Sequence, residues 1–189
     1  MSETISIRDR KPSMKIIDIF LVVFFIFNFI FITYMFDLDQ LIVLNHNQWL
    51  TPTLPIDFNY PVWPPKFIVD LNHWFGYNFD PALLDRPAWW RATIWIDVIL
   101  FGPYYAVATF AFIKGKKWIR MPSIIWASVM LTNVTIILFS EFFDPLYAGN
   151  PYWWVVLLSN LLWILTPILV LVRMIKYPKT FEAKITESE

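Results

Sequence analysis

Residues 16–36 read IIDIFLVVFFIFNFIFITYMF, a run with one charged side chain, Asp18. At about 1.5 Å of rise per residue, such a run spans a hydrocarbon core about 30 Å thick. It is too long for the apolar region of a cleaved leader, roughly 7–15 residues, and no small-x-small cleavage pattern follows it, so it reads as a retained membrane helix. Working outward, residues 92–113, 121–139 and 152–175 form three more such runs, the third span carrying Thr132, Asn133 and Thr135.

The rest of the composition agrees. Of 189 residues, 58% are hydrophobic and 16% charged, against about 25% charged in soluble domains. Cysteine is absent, which excludes disulfides, thiolate zinc sites and a cysteine nucleophile. The 15 basic and 15 acidic residues cancel without a basic run, so nucleic acid is not a partner. With 4 glycines against 14 prolines, no glycine-rich phosphate loop is present, and no motif requires a cofactor or metal.

Basic residues set the expected topology. Arg8, Arg10, Lys11 and Lys15 precede the first run; Lys114, Lys116, Lys117 and Arg120 separate the second and third; Arg173, Lys176, Lys179 and Lys184 lie at and beyond the end of the fourth. The other two connections hold only Lys66, Arg86 and Arg91. The positive-inside rule then gives an all-α bundle of four transmembrane helices with both termini cytosolic. Residues 1–15 form a cytosolic segment, 16–177 the membrane domain with a non-cytosolic loop at 37–91, and 178–189 a cytosolic tail. In that loop, Pro64-Pro65 before Phe67, Ile68, Leu71, Trp74 and Phe75 predicts a short helix with one apolar face, lying at the membrane interface or capping the bundle. Asp80-Pro81 and Asp85-Arg86-Pro87 read as further helix starts with Asp as N-cap.

Polar residues within the spans carry the functional information, because a mid-bilayer carboxylate costs roughly 2.5–3.5 kcal/mol on insertion scales. Counting rise from the loop side, Asp97 lies about 9 Å deep and Asn133 and Asn160 about 12 Å deep. Asp37 closes the first helix and Glu141 the third at that same face, whereas the opposite half offers only Asp18, snorkelling at its border. This convergence predicts a cavity opening toward the non-cytosolic half. The structural alternatives are an Asp97–Arg91 pair, Asn133 and Asn160 as interhelical glue, and Asp37 and Glu141 as ordinary interface residues. Asn133-Val-Thr135 matches a glycosylation sequon but sits inside a span. Trp126, Trp163, Tyr104, Tyr105 and Tyr147 read as belt or pocket lining, and Trp153 and Trp154 as belt. Pro103 and Pro167 predict kinks that leave room between helices. An acid among aromatic rings suits a lipophilic amine, with cation–π attraction of about 0.5–2 kcal/mol, or a sterol whose hydroxyl meets a polar group.

The segments Met35-Phe-Asp-Leu38, Asp80-Pro-Ala-Leu-Leu, Arg86-Pro-Ala-Trp-Trp, Asp97, Gly102-Pro103, Ala111-Phe-Ile-Lys-Gly115 and Lys117-Trp-Ile-Arg-Met-Pro122 resemble the EXPERA family, over about residues 16–177, with 48–64 as an insertion. The resemblance implies a four-helix membrane fold enclosing a pocket, with Asp37 and Asp97 as its acidic pair and Asp80 supporting the site from the loop. Asp97 stands where relatives carry Glu, retracting the carboxylate by one methylene. Ser159-Asn160-Leu-Leu-Trp163-Ile-Leu-Thr-Pro167 resembles the family's sterol-isomerase branch, in which the Asn and Trp belong to the active site. That branch places a His one turn before its first acid; here the position holds Thr33. The expected ligand-binding residues are therefore Asp37, Asp97, Asp80, Asn160 and Trp163. The expected function is binding of sterols or related membrane lipids and lipophilic amines rather than catalysis. A sterol double-bond isomerase and a structural subunit of a larger membrane complex are the alternatives. The family implies the endoplasmic reticulum or another internal membrane, and leaves a homodimer open, although no GxxxG stripe supports one.

Overall fold

The computed structural model describes residues 6, 7 and 10–177; Arg8, Lys179, Lys184 and the 178–189 tail lie outside them. Among the described residues the elements are helical. Four helices are long and apolar enough to cross a membrane: α1 (Pro12–Ile42), α4 (Ala88–Lys114), α5 (Lys117–Phe143) and α6 (Trp153–Lys176). Two short helices, α2 (Lys66–Asn78) and α3 (Pro81–Asp85), lie in the long connection between α1 and α4. The chain is thus an integral, multi-pass membrane protein. We call the side with residues 12 and 176 the terminal side and the opposite one the loop side.

Two of the spans are not plain α-helices. α1 turns π-helical over Asn28–Asp37, and α4 does so over Asp97–Phe101, just before Gly102-Pro103. Pro103 lacks the N–H that would continue the ladder, and π-turns commonly accompany functional positions. Pro167 stays inside a continuous α6. Gly115 adopts φ 66° and ends α4, with the Lys116 amide closing on the Ala111 carbonyl at 2.8 Å. That left-handed position favours glycine and returns the chain into α5.

The terminal half of the bundle is filled. Phe25, Tyr105, Phe112 and Trp126 are buried together, with Tyr104 stacked on Trp126 at 5.1 Å and Phe25 edge-on to Trp126 at 5.7 Å. Trp126 and Tyr105 are therefore core residues rather than belt or pocket lining. Lipid tails match such side chains in polarity, so close packing and hydrogen bonds hold these helices together more than desolvation does. Trp153 and Trp154 are half-exposed at the start of α6, as an interfacial belt requires.

Asp18 does not snorkel. It is fully buried, its carboxylate held by Arg10 at 2.6 Å and by both Nε and Nη2 of Arg173 at 2.9 Å. Arg10 also donates to the Phe112 carbonyl, and Arg120 to that of Met174 at 3.0 Å. Planar guanidinium forks suit such bidentate contacts, and here they tie α1, α4, α5 and α6 at the terminal side.

Gly102 permits the closest approach of α1 and α4. A Cβ built there would meet the Tyr34 hydroxyl at 2.6 Å and the Thr33 methyl at 3.0 Å. Gly102→Val is expected to force the two π segments apart and lower the melting temperature of the detergent-solubilised protein. Overpacking of this kind typically costs about 1–3 kcal/mol. Tyr34→Phe, which removes the nearest atom, should recover part of the loss in Gly102→Ala.

Candidate functional site

A cavity of about 310 Å³ lies in the loop-side half of the bundle. Helices α1, α4, α5 and α6 form its walls, and Leu71, Asn72 and Phe75 of α2 cover it. Asp37, Asp80, Asp97, Asn160 and Trp163 all line it, as does Asn133.

The π segments position the acids. α1 runs five residues past Asp37, so Asp37 lies within the helix rather than closing it. Its carboxyl accepts from Gln40 Nε2 at 3.3 Å, and Gln40 Oε1 accepts from Trp90 Nε1 at 2.6 Å. Asp97 accepts from the Thr33 hydroxyl at 2.6 Å and lies within hydrogen-bonding reach of Asp37. Two carboxyls bond only through a proton held between them. The Asp97–Arg91 alternative is not realised: Arg91 is exposed and Asp97 turns inward.

The amides divide. Asn133 Nδ2 donates to the Thr93 carbonyl at 3.0 Å, bridging α5 to α4 as interhelical glue while facing the cavity. Asn160 donates to Val156 in its own helix at 2.9 Å, on the cavity wall. Trp163 Nε1 donates to Asn28 Oδ1 at 2.8 Å, joining α6 to the start of the π segment of α1.

Asp80 caps α3, accepting from the Leu83 amide at 2.9 Å as its Asp-Pro context predicts. Asp85, in contrast, is the last residue of α3 and caps nothing; α4 begins after Pro87, and Arg86 between them adopts φ 50°. Burial pushes the Asp80 carboxyl up from its ordinary value. Against it lies Glu141, buried near the end of α5, its carboxyl meeting that of Asp80 and no donor from another residue reaching it.

Sequence reasoning missed the cluster that seats the loop. Asp39, two residues past Asp37, accepts from Arg86 Nη2 at 2.8 Å and from Asn72 Nδ2 at 2.9 Å. Arg86 further donates to the carbonyls of Leu83, Asp39 and Val43. The two histidines, 27 residues apart, are both buried and meet Nδ1 to Nδ1 at 2.9 Å, with His73 Nε2 at 2.7 Å from the Thr51 carbonyl. These inward bonds rotate α2 from its expected register. Ile68, Val69, Asn72 and His73 face the bundle, while Phe67, Leu71 and Trp74 are substantially exposed. The usable signal was the polar pair at i, i+1 inside an otherwise apolar helix.

Burial holds His46 neutral, lowering its pKa to about 2, and lowers that of His73 as well. The unfolded loop binds protons below about pH 6.5 that the folded loop rejects. Stability is therefore complete above that pH and is lost as pH falls, by up to about 1.4 kcal/mol per pH unit for His46, with His73 adding in the same direction. Protection factors for hydrogen exchange over residues 43–78, taken relative to the intrinsic rate at each pH, should fall between pH 6.5 and 5.5, and His46→Gln should flatten that dependence.

The EBP family model, described as EXPERA (EXPanded EBP superfamily), matches residues 67–174. Sigma intracellular receptor 2 of Xenopus tropicalis is 31% identical over 126 residues, covering 61% of this chain and 72% of that protein. The Homo sapiens protein of the same name is 32% identical over 85 residues, 44% of this chain and 48% of that protein. The match thus spans about half the length of the human relative.

Proposed function

The chain belongs to the EXPERA superfamily, and from that premise we propose that it binds sterols or related lipids, and lipophilic amines, in an acidic pocket within the membrane. One observation carries the reading. Asp37 and Asp97 are buried side by side on the wall of a cavity lined largely by apolar side chains. An ammonium group entering there meets paired carboxyls in a medium that screens them little, and Trp90 and Trp163 supply ring faces. Asp80, Asn160 and Trp163 complete the lining, and a sterol would place its hydroxyl against the same acids. The name of the relatives, sigma intracellular receptor 2, fits this reading. The proposal includes an internal membrane such as the endoplasmic reticulum, with the terminal side cytosolic.

Binding of a radiolabelled lipophilic amine to purified protein in nanodiscs tests it, with Asp37→Asn and Asp97→Asn beside the wild type. A charge-assisted hydrogen bond contributes about 1.5–3 kcal/mol, so each variant should bind roughly 10- to 100-fold more weakly. Unchanged affinity in both variants would overturn the proposal.

A second reading, sterol double-bond isomerisation, is favoured by Asn160 and Trp163 lying on the same cavity as the two acids. Such a shift needs a proton donor and an acceptor at opposite ends of an allylic system. Thr33, whose hydroxyl is engaged with Asp97, does not titrate and cannot act as that donor. Expression in an isomerase-deficient yeast strain is expected to give no growth rescue; rescue would establish the enzyme.

A further inference from the structure

Besides Asp37 and Asp97, the cavity has a second acidic end. Asp80 lines it, and behind Asp80 stands Glu141, 3% exposed, in carboxyl-to-carboxyl contact with Asp80 and reached by no donor from another residue. The distance between the two ends follows from the helix register. Asn133 of α5 bonds the carbonyl of Thr93 of α4, so these residues share a level. Asp97 lies four residues to the terminal side of that level and Glu141 eight residues to the loop side. At 1.5 Å per residue Asp97 and Glu141 are separated by roughly 18 Å along the bundle. The wall between them is largely apolar, with Phe75, Trp90, Ile94 and Ile137 on it and Thr93 and Asn133 as polar groups at an intermediate level.

We propose that Asp80 and Glu141 form a second cation-binding subsite, so that the cavity takes an elongated amphiphile carrying an amine at each end. The proposal rests on the amine-binding reading above. One proton shared between two carboxyls leaves a single negative charge, which matches one ammonium. Asp80 faces the cavity and meets the ammonium directly; Glu141 supplies the second carboxyl behind it.

Apparent affinities of decylamine and 1,10-diaminodecane, measured by thermal shift on wild-type protein in nanodiscs, test the idea. N-decylethane-1,2-diamine, with both amines at one end, serves as the third probe. The end-to-end diamine should bind at least about tenfold tighter than decylamine, the size of one added charge-assisted contact. Asp80→Asn with Glu141→Gln, which removes both carboxyls of the subsite, should reduce that ratio to near one. The ratio cancels differences in membrane partition between wild type and variant. Equal binding of decylamine and 1,10-diaminodecane would overturn the subsite while leaving the amine pocket standing. An equal gain for N-decylethane-1,2-diamine would also overturn it, since charge number and not reach would then decide, and this comparison needs no variant. If none of the three probes binds, both readings fall.

Discussion

Asp18→Asn is expected to lower the melting temperature of the solubilised protein by roughly 6–20 °C. The physical reason is stranding. Asp18 and Arg173 are both buried, and Arg10 joins them with a side chain equally inaccessible. Breaking a buried ion pair by removing one partner typically costs about 3–5 kcal/mol, and a kcal/mol shifts melting by about 2–4 °C in a chain of this size. Arg173→Gln should cost less, because Asp18 keeps Arg10. The double variant, Asp18→Asn with Arg173→Gln, should be less impaired than the sum, because both ends of one direct contact are removed together. Circular dichroism at 222 nm during heating reads all three. Additive losses would show that the cluster does not act as a unit.

The second large effect is expected at Arg86. It joins the Asp39 carboxylate to three backbone carbonyls, from the end of α1 and from α3. Arg86→Met leaves Asp39 buried without a cation and leaves those carbonyls short of a donor, a loss of about 3–5 kcal/mol. The damage should be local. Hydrogen exchange should rise in the 43–65 connection and α2, while α5 and α6 keep their protection. Amine binding should weaken too, because α2 covers the cavity through Leu71, Asn72 and Phe75. Arg86→Lys should fall between, since an ammonium cannot reproduce the planar fork. Uniform exchange along the whole chain would contradict the local role.

The spans were legible because an unbroken apolar run of about twenty residues matches the thickness of a bilayer and little else. Their ends were not. α1 extends to Ile42 through Asp37, Asp39 and Gln40, three polar residues that hydropathy scores as loop. They remain helical because Trp90, Asn72 and Arg86 satisfy their side chains. The depths of Asp97, Asn133 and Asn160 followed from helical rise, so their arrival on one cavity could be anticipated. Which face each presents could not, since the π segments in α1 and α4 alter the angular spacing on which face assignment depends. Asp18 was misjudged because its partners come from residues 8 positions before it and 155 after it. The meeting of His46 with His73, and of Asp39 with Arg86, likewise joins residues from a connection without periodicity. Nothing in the local sequence marks such pairings.

The π-helical stretch of α1 has a consequence for how this chain tolerates change in length. Asp37 turns to the cavity and Asp39, two positions on, turns to Arg86, so both orientations share one rotational phase fixed by the wide coil between 28 and 37. A single-residue deletion there would wind the outer end of the helix by about 100°. Asp37 would leave Asp97 and Asp39 would leave Arg86 in the same stroke, while the Asp18 cluster beneath stayed in place. Substitutions can disturb the two acids one at a time; a deletion between them and the terminal side moves both together.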